Sequence, residues 1–247
     1  MPVLLLTVAL LTACGGSDNT SGAPSTQSGT PGTEVATATE EDLLYGCIEP
    51  GAAKPLTLES GGGTLDAAVF GHGPVGIVLA HERGGSLCNW ASIAPELADQ
   101  GFRVLIFDFG PLATAASDMV AATEELRHRG AKQIIVGGAS LGGTAALMTA
   151  ARARNVLGAF SLSAPALFGN LEALPAVRRF RGPVLFVAAM EDGPFAQDAR
   201  RLYHAAVSRE KELLIVPGSE HGTDLYGGPA AERVRHAVDG LLAEAAS

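Results

Sequence analysis

Lys132-Gln133-Ile134-Ile135-Val136-Gly137-Gly138-Ala139-Ser140-Leu141-Gly142-Gly143-Thr144-Ala145-Ala146-Leu147 is the stretch whose reading decides the fold. The run up to Val136 is short, apolar and β-branched, as a buried strand is. From Thr144 to Ala151 the residues are good helix formers. Between them lies a Gly-x-Ser-x-Gly turn, Gly138 to Gly142. Strand, turn and helix in that order are the setting of a nucleophile elbow. The turn is too tight for side chains at Gly138 and Gly142, so Ser140 is expected on a strained backbone with its hydroxyl standing clear. The helix that starts there points free N–H groups at any negative charge that develops. With 31 glycines in the chain, the string alone is weak, and its setting gives it meaning. A glycine-rich turn of this kind can also cradle phosphate. This one lacks both a Gly-Lys-Ser/Thr ending and Gly-x-Gly-x-x-Gly spacing, which disfavours that alternative.

Outward from the elbow, the pattern alternates. Lys54 to Ser60 and Leu65 to Gly71 read as a hairpin, and Val75 to Ala80 as an interior strand. Helices are expected over Trp90–Gln100, Ser117–Arg129, Ala196–Val207 and Ala230–Ala243, with a short helical piece near Leu171–Phe180. Strands are expected over Arg103–Phe107, Val156–Ser161, Val184–Ala188 and Glu212–Val216. Such alternation predicts a parallel sheet with right-handed crossovers and a site at the C-terminal ends of the strands. About twenty residues separate the Val156 and Val184 strands, too few for a large cap, so an open site is expected.

A nucleophilic serine needs a base and an orienting acid at the same rim. The Val184 strand runs into Glu191-Asp192-Gly193, and the Glu212 strand into Ser219-Glu220-His221-Gly222. Ser140, Asp192 and His221 are therefore the candidate catalytic residues, with Glu191 as the alternative acid. Ser, Asp, His is also the chain order seen on elbow-bearing folds. Asp224 reads as a turn or cap residue, and Asp108 as a carboxylate that bonds loop backbone. His81 reads as a loop-bracing histidine, and His72, His128, His204 and His236 as structural or solvated. None of these has metal spacing, so no metal is expected. A charged tetrahedral intermediate also needs donors. The N–H groups of Leu141 and Arg83 are the expected oxyanion hole, with Glu82 the neighbouring alternative. Trp90, Met190, Phe195 and Tyr226 are candidate walls of the site or, equally, core.

The net charge of −9 argues against nucleic acid and against an electrostatic grip on anionic lipid. Val3 to Leu11 is an apolar core too short to span a bilayer, and it ends in Leu11-Thr12-Ala13-Cys14-Gly15. This resembles a bacterial lipobox, so residues 1–13 are expected to be a signal peptide and Cys14 the lipidated residue. The alternative is an ordinary secretory peptide cut after Ala13. No Lys or Arg precedes Lys54, which raises the expectation of a true start upstream of Met1. Residues 14–45, rich in Gly, Ser, Thr and Pro, are expected to be a flexible tether, and 46–247 the folded domain. The implied location is outside the cytoplasm, lipid-anchored at a bacterial membrane or cell surface. In that compartment thiols oxidise, so a Cys47–Cys88 disulfide is expected.

From about Leu56 onward the chain resembles the α/β-hydrolase superfamily, and within it dienelactone-hydrolase-like members. The resemblance rests on four motifs: His81-Glu82-Arg83-Gly84-Gly85, the Gly138–Gly143 elbow, the Glu191-Asp192 loop and His221-Gly222. It implies a mostly parallel sheet of about eight strands with helices on both faces. It also implies hydrolysis of carboxylic esters or related acyl bonds without a cofactor, on small-molecule esters. Ser140 stands where the dienelactone enzymes use cysteine, which favours a general serine esterase. A thioesterase, acyltransferase or peptidase could use the same triad. A tethered binding protein that kept the fold and lost turnover is the non-enzymatic alternative.

Overall fold

A computed structural model of the chain describes residues 46–61 and 63–247. The expectations for residues 1–45, including signal peptide, Cys14 and tether, lie outside the described residues. In chain order the elements are β1 (Lys54–Ser60), β2 (Gly63–Phe70), β3 (Val75–Ala80), α1 (Ile93–Asp99), β4 (Arg103–Phe107), α2 (Ala115–His128), β5 (Gln133–Ala139) and α3 (Leu141–Ala150). They continue with β6 (Val156–Leu162), β7 (Leu167–Phe168), β8 (Leu171–Glu172), α4 (Ala173–Val177), β9 (Val184–Ala189), α5 (Phe195–Ala205), β10 (Lys211–Val216) and α6 (Ala231–Ala246).

Eight strands form one sheet in the order β1-β2-β4-β3-β5-β6-β9-β10. The β1–β2 hairpin joins β4 antiparallel, and every pairing from β4 to β10 is parallel. Alternation along each strand divides the interior in two. Val78, Leu105, Phe107, Val136 and Phe186 face α2, α3 and α5. Ile77, Leu79, Ile106, Ile135, Phe160 and Leu185 face α1, α6 and Trp90. Full burial of such side chains contributes about 1.5–3 kcal/mol each. Helix α3 is buried at every position, wedged between the sheet, α2 and α4, so it carries small and apolar residues rather than one apolar stripe.

One expectation needs correction. The helix expected over Trp90–Gln100 is broken. Leu87–Trp90 forms a 3₁₀ turn capped by Ser86, and α1 begins only at Ile93. The expected disulfide joins Cys47 to Cys88 within that turn. The short helical piece expected near Leu171–Phe180 is α4, a single turn, and a two-stranded hairpin, β7–β8, precedes it. The hairpin reverses through Gly169, whose φ of +57° suits glycine and stops a helix from starting earlier. Hairpin and short helix are all that lies between β6 and β9, so no large cap is inserted there.

Candidate active site

The C-terminal ends of β3, β5, β6, β9 and β10 share one rim, and the expected residues hang from it. Register brings Ala80 opposite Gly138, so the loop leaving β3 passes beside the elbow. A Cβ on Gly142 would lie 2.2 Å from the Ala80 carbonyl oxygen, and one on Gly138 would lie 2.4 Å from the Gly142 carbonyl oxygen. Backbone fills both spaces, and only glycine fits. Ser140 has φ +48° and ψ −113°, in the half of the map that L side chains rarely enter. Its N–H donates to the Leu162 carbonyl (2.7 Å), and its own carbonyl receives the Thr144 N–H at the start of α3 (3.0 Å). The strained residue is thus held from both sides.

His221 follows β10 and Asp192 follows β9. The imidazole Nδ1 lies 2.9 and 3.0 Å from the two oxygens of the Asp192 carboxylate. A carboxylate only accepts, so the imidazole Nδ1–H is the donor in this pair. Asp192 is buried, while the His221 side chain keeps 33% of its surface exposed. Phe195, at the start of α5, packs its ring 4.4 Å from the imidazole. Glu191 is exposed and does not take the acid position. The loop carrying His221 reaches the elbow, since a Cβ on Gly222 would lie 3.3 Å from the Ala139 Cβ. Both side-chain hydrogen bonds of His221 among the described residues run through Nδ1 to Asp192, and none joins Nε2 to the Ser140 hydroxyl. Catalytic hydrogen bonds often tighten only when substrate is seated.

Leu141 opens α3, where the N–H precedes the first possible intrahelical bond. Arg83 and Glu82 sit in a turn closed by the Gly85 N–H on the Glu82 carbonyl, 3.1 Å. The Arg83 guanidinium stands 6.0 Å over the Phe168 ring. His81 braces this loop. Its Nδ1 lies 2.7 Å from the Glu82 carbonyl oxygen, and its Nε2 accepts the Phe109 N–H at 3.2 Å. Asp108 accepts the Leu87 N–H at 2.5 Å, and Asp224 lies in the turn after His221.

Of the four candidate wall residues, Trp90 is core, wholly buried between Phe160 and Tyr226. Tyr226 is also buried. It lines a concavity of about 610 Å³ with Asn89, Glu220, Thr223 and Asp224, and neither Ser140 nor His221 is part of that lining. Met190 is exposed at the end of β9. Among the described residues, no group of three His, Cys, Asp or Glu is placed to hold a metal.

The sequence reading missed the residues that hold the histidine loop. The Gly222 N–H donates to the Ser163 hydroxyl (3.2 Å), and the Thr223 hydroxyl donates to the Glu82 carboxylate (2.8 Å). Ser163, buried at φ +51°, carries no local signal in the string Ser161-Leu162-Ser163-Ala164.

Solved structures share this architecture. An esterase of Pyrococcus furiosus matches with a TM-score of 0.66 and 16% identity, over 77% of this chain and 90% of that one. A dienelactone hydrolase from Anabaena variabilis matches with a TM-score of 0.64 and 24% identity, over 76% and 94%. This is an α/β-hydrolase fold. The esterase domain of a Rhodothermus marinus protein matches it as well, with a TM-score of 0.60 and 23% identity, over 74% and 98%. No protein-family model and no curated protein matches the chain.

Proposed function

We propose that the protein is a serine hydrolase of carboxylic esters working through an acyl-Ser140 intermediate. The observation that carries this is the pairing of His221 with Asp192 on loops beside a serine held at positive φ. The kinds of protein that share the fold, esterases and a dienelactone hydrolase, support the same reading.

The Ser140 hydroxyl attacks the ester carbonyl as its proton passes to His221 Nε2. Asp192 keeps Nδ1 protonated and offsets the charge of the imidazolium. The oxygen of the tetrahedral intermediate is stabilised by the Leu141 N–H, the dipole of α3 and a second N–H from the Glu82–Arg83 backbone. Collapse releases the alcohol, which takes its proton from Nε2. Water then repeats the sequence, with His221 as base, and frees the acid. With only a hairpin and one helical turn between β6 and β9, the site suits small or extended acyl groups.

A fluorophosphonate probe tests the assignment. Labelling of the protein, lost in Ser140→Ala and accompanied by turnover of nitrophenyl esters, is the expected result. Folded protein that neither labels nor turns over would favour a non-catalytic binding protein.

A further inference from the structure

Glu82 is placed unlike a surface glutamate. One oxygen, Oε1, accepts two hydrogen bonds, from Asn89 Nδ2 at 2.7 Å and from the Thr223 hydroxyl at 2.8 Å. The other, Oε2, is buried and has no hydrogen-bond partner among the described residues. It lies 3.4 Å from where a Cβ on Gly222 would stand, so the carboxylate rests under the backbone that follows His221. Asn89 is itself fixed, because its Oδ1 accepts the Ser86 N–H (2.8 Å) that caps the Leu87–Trp90 turn.

As scaffolding this is a poor arrangement. A buried carboxylate oxygen without a partner carries a desolvation cost that an apolar side chain of similar volume would not. Local rules broken in this way concentrate at functional sites. Three loops meet on this carboxylate: the one after β3 that offers the second oxyanion donor, the 3₁₀ turn, and the one carrying His221. On its other side the histidine loop is tied by the Gly222 N–H to Ser163.

We propose that Glu82 is a positioning residue that buckles the His221 loop to the loop after β3, so that base and oxyanion donor keep one register. This rests on the hydrolase reading. Glu82 acts through Thr223 and Asn89, so its loss lowers kcat while KM, set by groups that touch substrate, stays in place.

The experiment compares wild type with Glu82→Leu, Glu82→Gln, Thr223→Val and the Glu82→Leu/Thr223→Val double variant. It measures kcat and KM on nitrophenyl acetate, the unfolding temperature, and the downfield proton NMR signal of the Nδ1–H between His221 and Asp192. Glu82→Leu is expected to lower kcat on the order of 10- to 100-fold, the scale of a small misplacement of reacting groups. KM should change less than about twofold. Glu82→Gln keeps a carbonyl oxygen for both bonds and should recover most of kcat. Thr223→Val should lower kcat in the same direction. The double variant should be no worse than Glu82→Leu, because both cut one link. The downfield signal should persist in Glu82→Gln and broaden or vanish in Glu82→Leu.

Unchanged kcat and signal in Glu82→Leu, no rescue by Gln, or losses that multiply in the double variant would each overturn the proposal. Should Glu82→Leu fail to fold, Thr223→Val alone and on the Glu82→Gln background provides the same comparison. A wild type without turnover would sink the hydrolase reading, whereas the NMR signal tests the buckle without turnover.

Discussion

The elbow and the histidine loop sit on one rim and are built by opposite means. At Ser140 the geometry comes from backbone packed on backbone. Gly138 and Gly142 close the turn, and neighbouring main chain leaves no room for a Cβ at either. At His221 it comes from side chains reaching in from elsewhere: Asp192 to the imidazole, Ser163 to Gly222, and Glu82 to Thr223. The first device is local and stiff, and it stores strain. The second is assembled from distant segments, and any one tie can be cut while the others hold. The proposed hydrolysis draws on both, a serine fixed in place and a base able to accept and return a proton.

Replacing Ser140 by glycine breaks the comparison most sharply. It deletes the proposed nucleophile and, in the same step, relieves a φ of +48° that glycine adopts freely. Activity should fall by about 10⁶-fold, the scale seen when a nucleophilic serine is removed. Stability should rise by about 1 kcal/mol as the backbone strain is released. Ester turnover and urea unfolding of the same preparation read the two effects. A variant no more stable than Ser140→Ala would mean that the elbow stores no strain.

This difference also explains what the sequence could disclose. The elbow was legible because its cause is local: a β-branched strand, two obligatory glycines and a helix follow each other within about twenty residues. The mostly parallel sheet, the absence of a large insertion between β6 and β9 and the candidate loops after β9 and β10 followed from alternation and chain order, whereas the order of the strands in the sheet did not. The ties of the histidine loop were not legible. Glu82 and Thr223 are 141 residues apart, and Gly222 and Ser163 are 59 apart. Nothing in a single string marks such pairs. Trp90 was undecided between site wall and core for a related reason. The string does not show which way the disulfide-tied 3₁₀ turn faces, and in the structure that turn places Trp90 in the core.

The Cys47–Cys88 disulfide sharpens the contrast from the side of the loops, because Cys88 adjoins Asn89, the residue that holds Glu82. The bridge spans 41 residues, and constraining a loop of that length in the unfolded chain is worth about 4 kcal/mol. A Cys47→Ser/Cys88→Ser variant should lose about that much stability, which for a domain of this size lowers the unfolding temperature by about 10 °C. Thermal unfolding with and without a reductant checks it. A wild type whose unfolding temperature ignores reductant, although its thiols become free, would show that the bridge constrains nothing.

Tyr226 closes the 3₁₀ turn that follows His221, and its variant is the smallest and most exacting of the three. Its ring packs against Trp90 at 6.0 Å and lies under the Arg235 guanidinium at 5.3 Å, while its buried hydroxyl has no partner among the described residues. Burial pushes the hydroxyl well above the ordinary tyrosine range, with Asp239 adding to the rise. The neutral form is therefore favoured in the folded state, and the unfolded chain ionises first. Stability tied to this group is complete below about pH 10 and falls as pH rises beyond that value. Tyr226→Phe removes a hydroxyl without a protein partner and the titration with it. At neutral pH the variant should match wild type or exceed it by up to about 1 kcal/mol. Above about pH 10 its advantage should widen, because only wild type loses stability there. Urea unfolding under both conditions decides the point. A clear loss at neutral pH would mean that the hydroxyl is bonded in solution, and that it helps to hold the end of the turn three residues beyond Thr223, where Arg235 already binds the Tyr226 carbonyl.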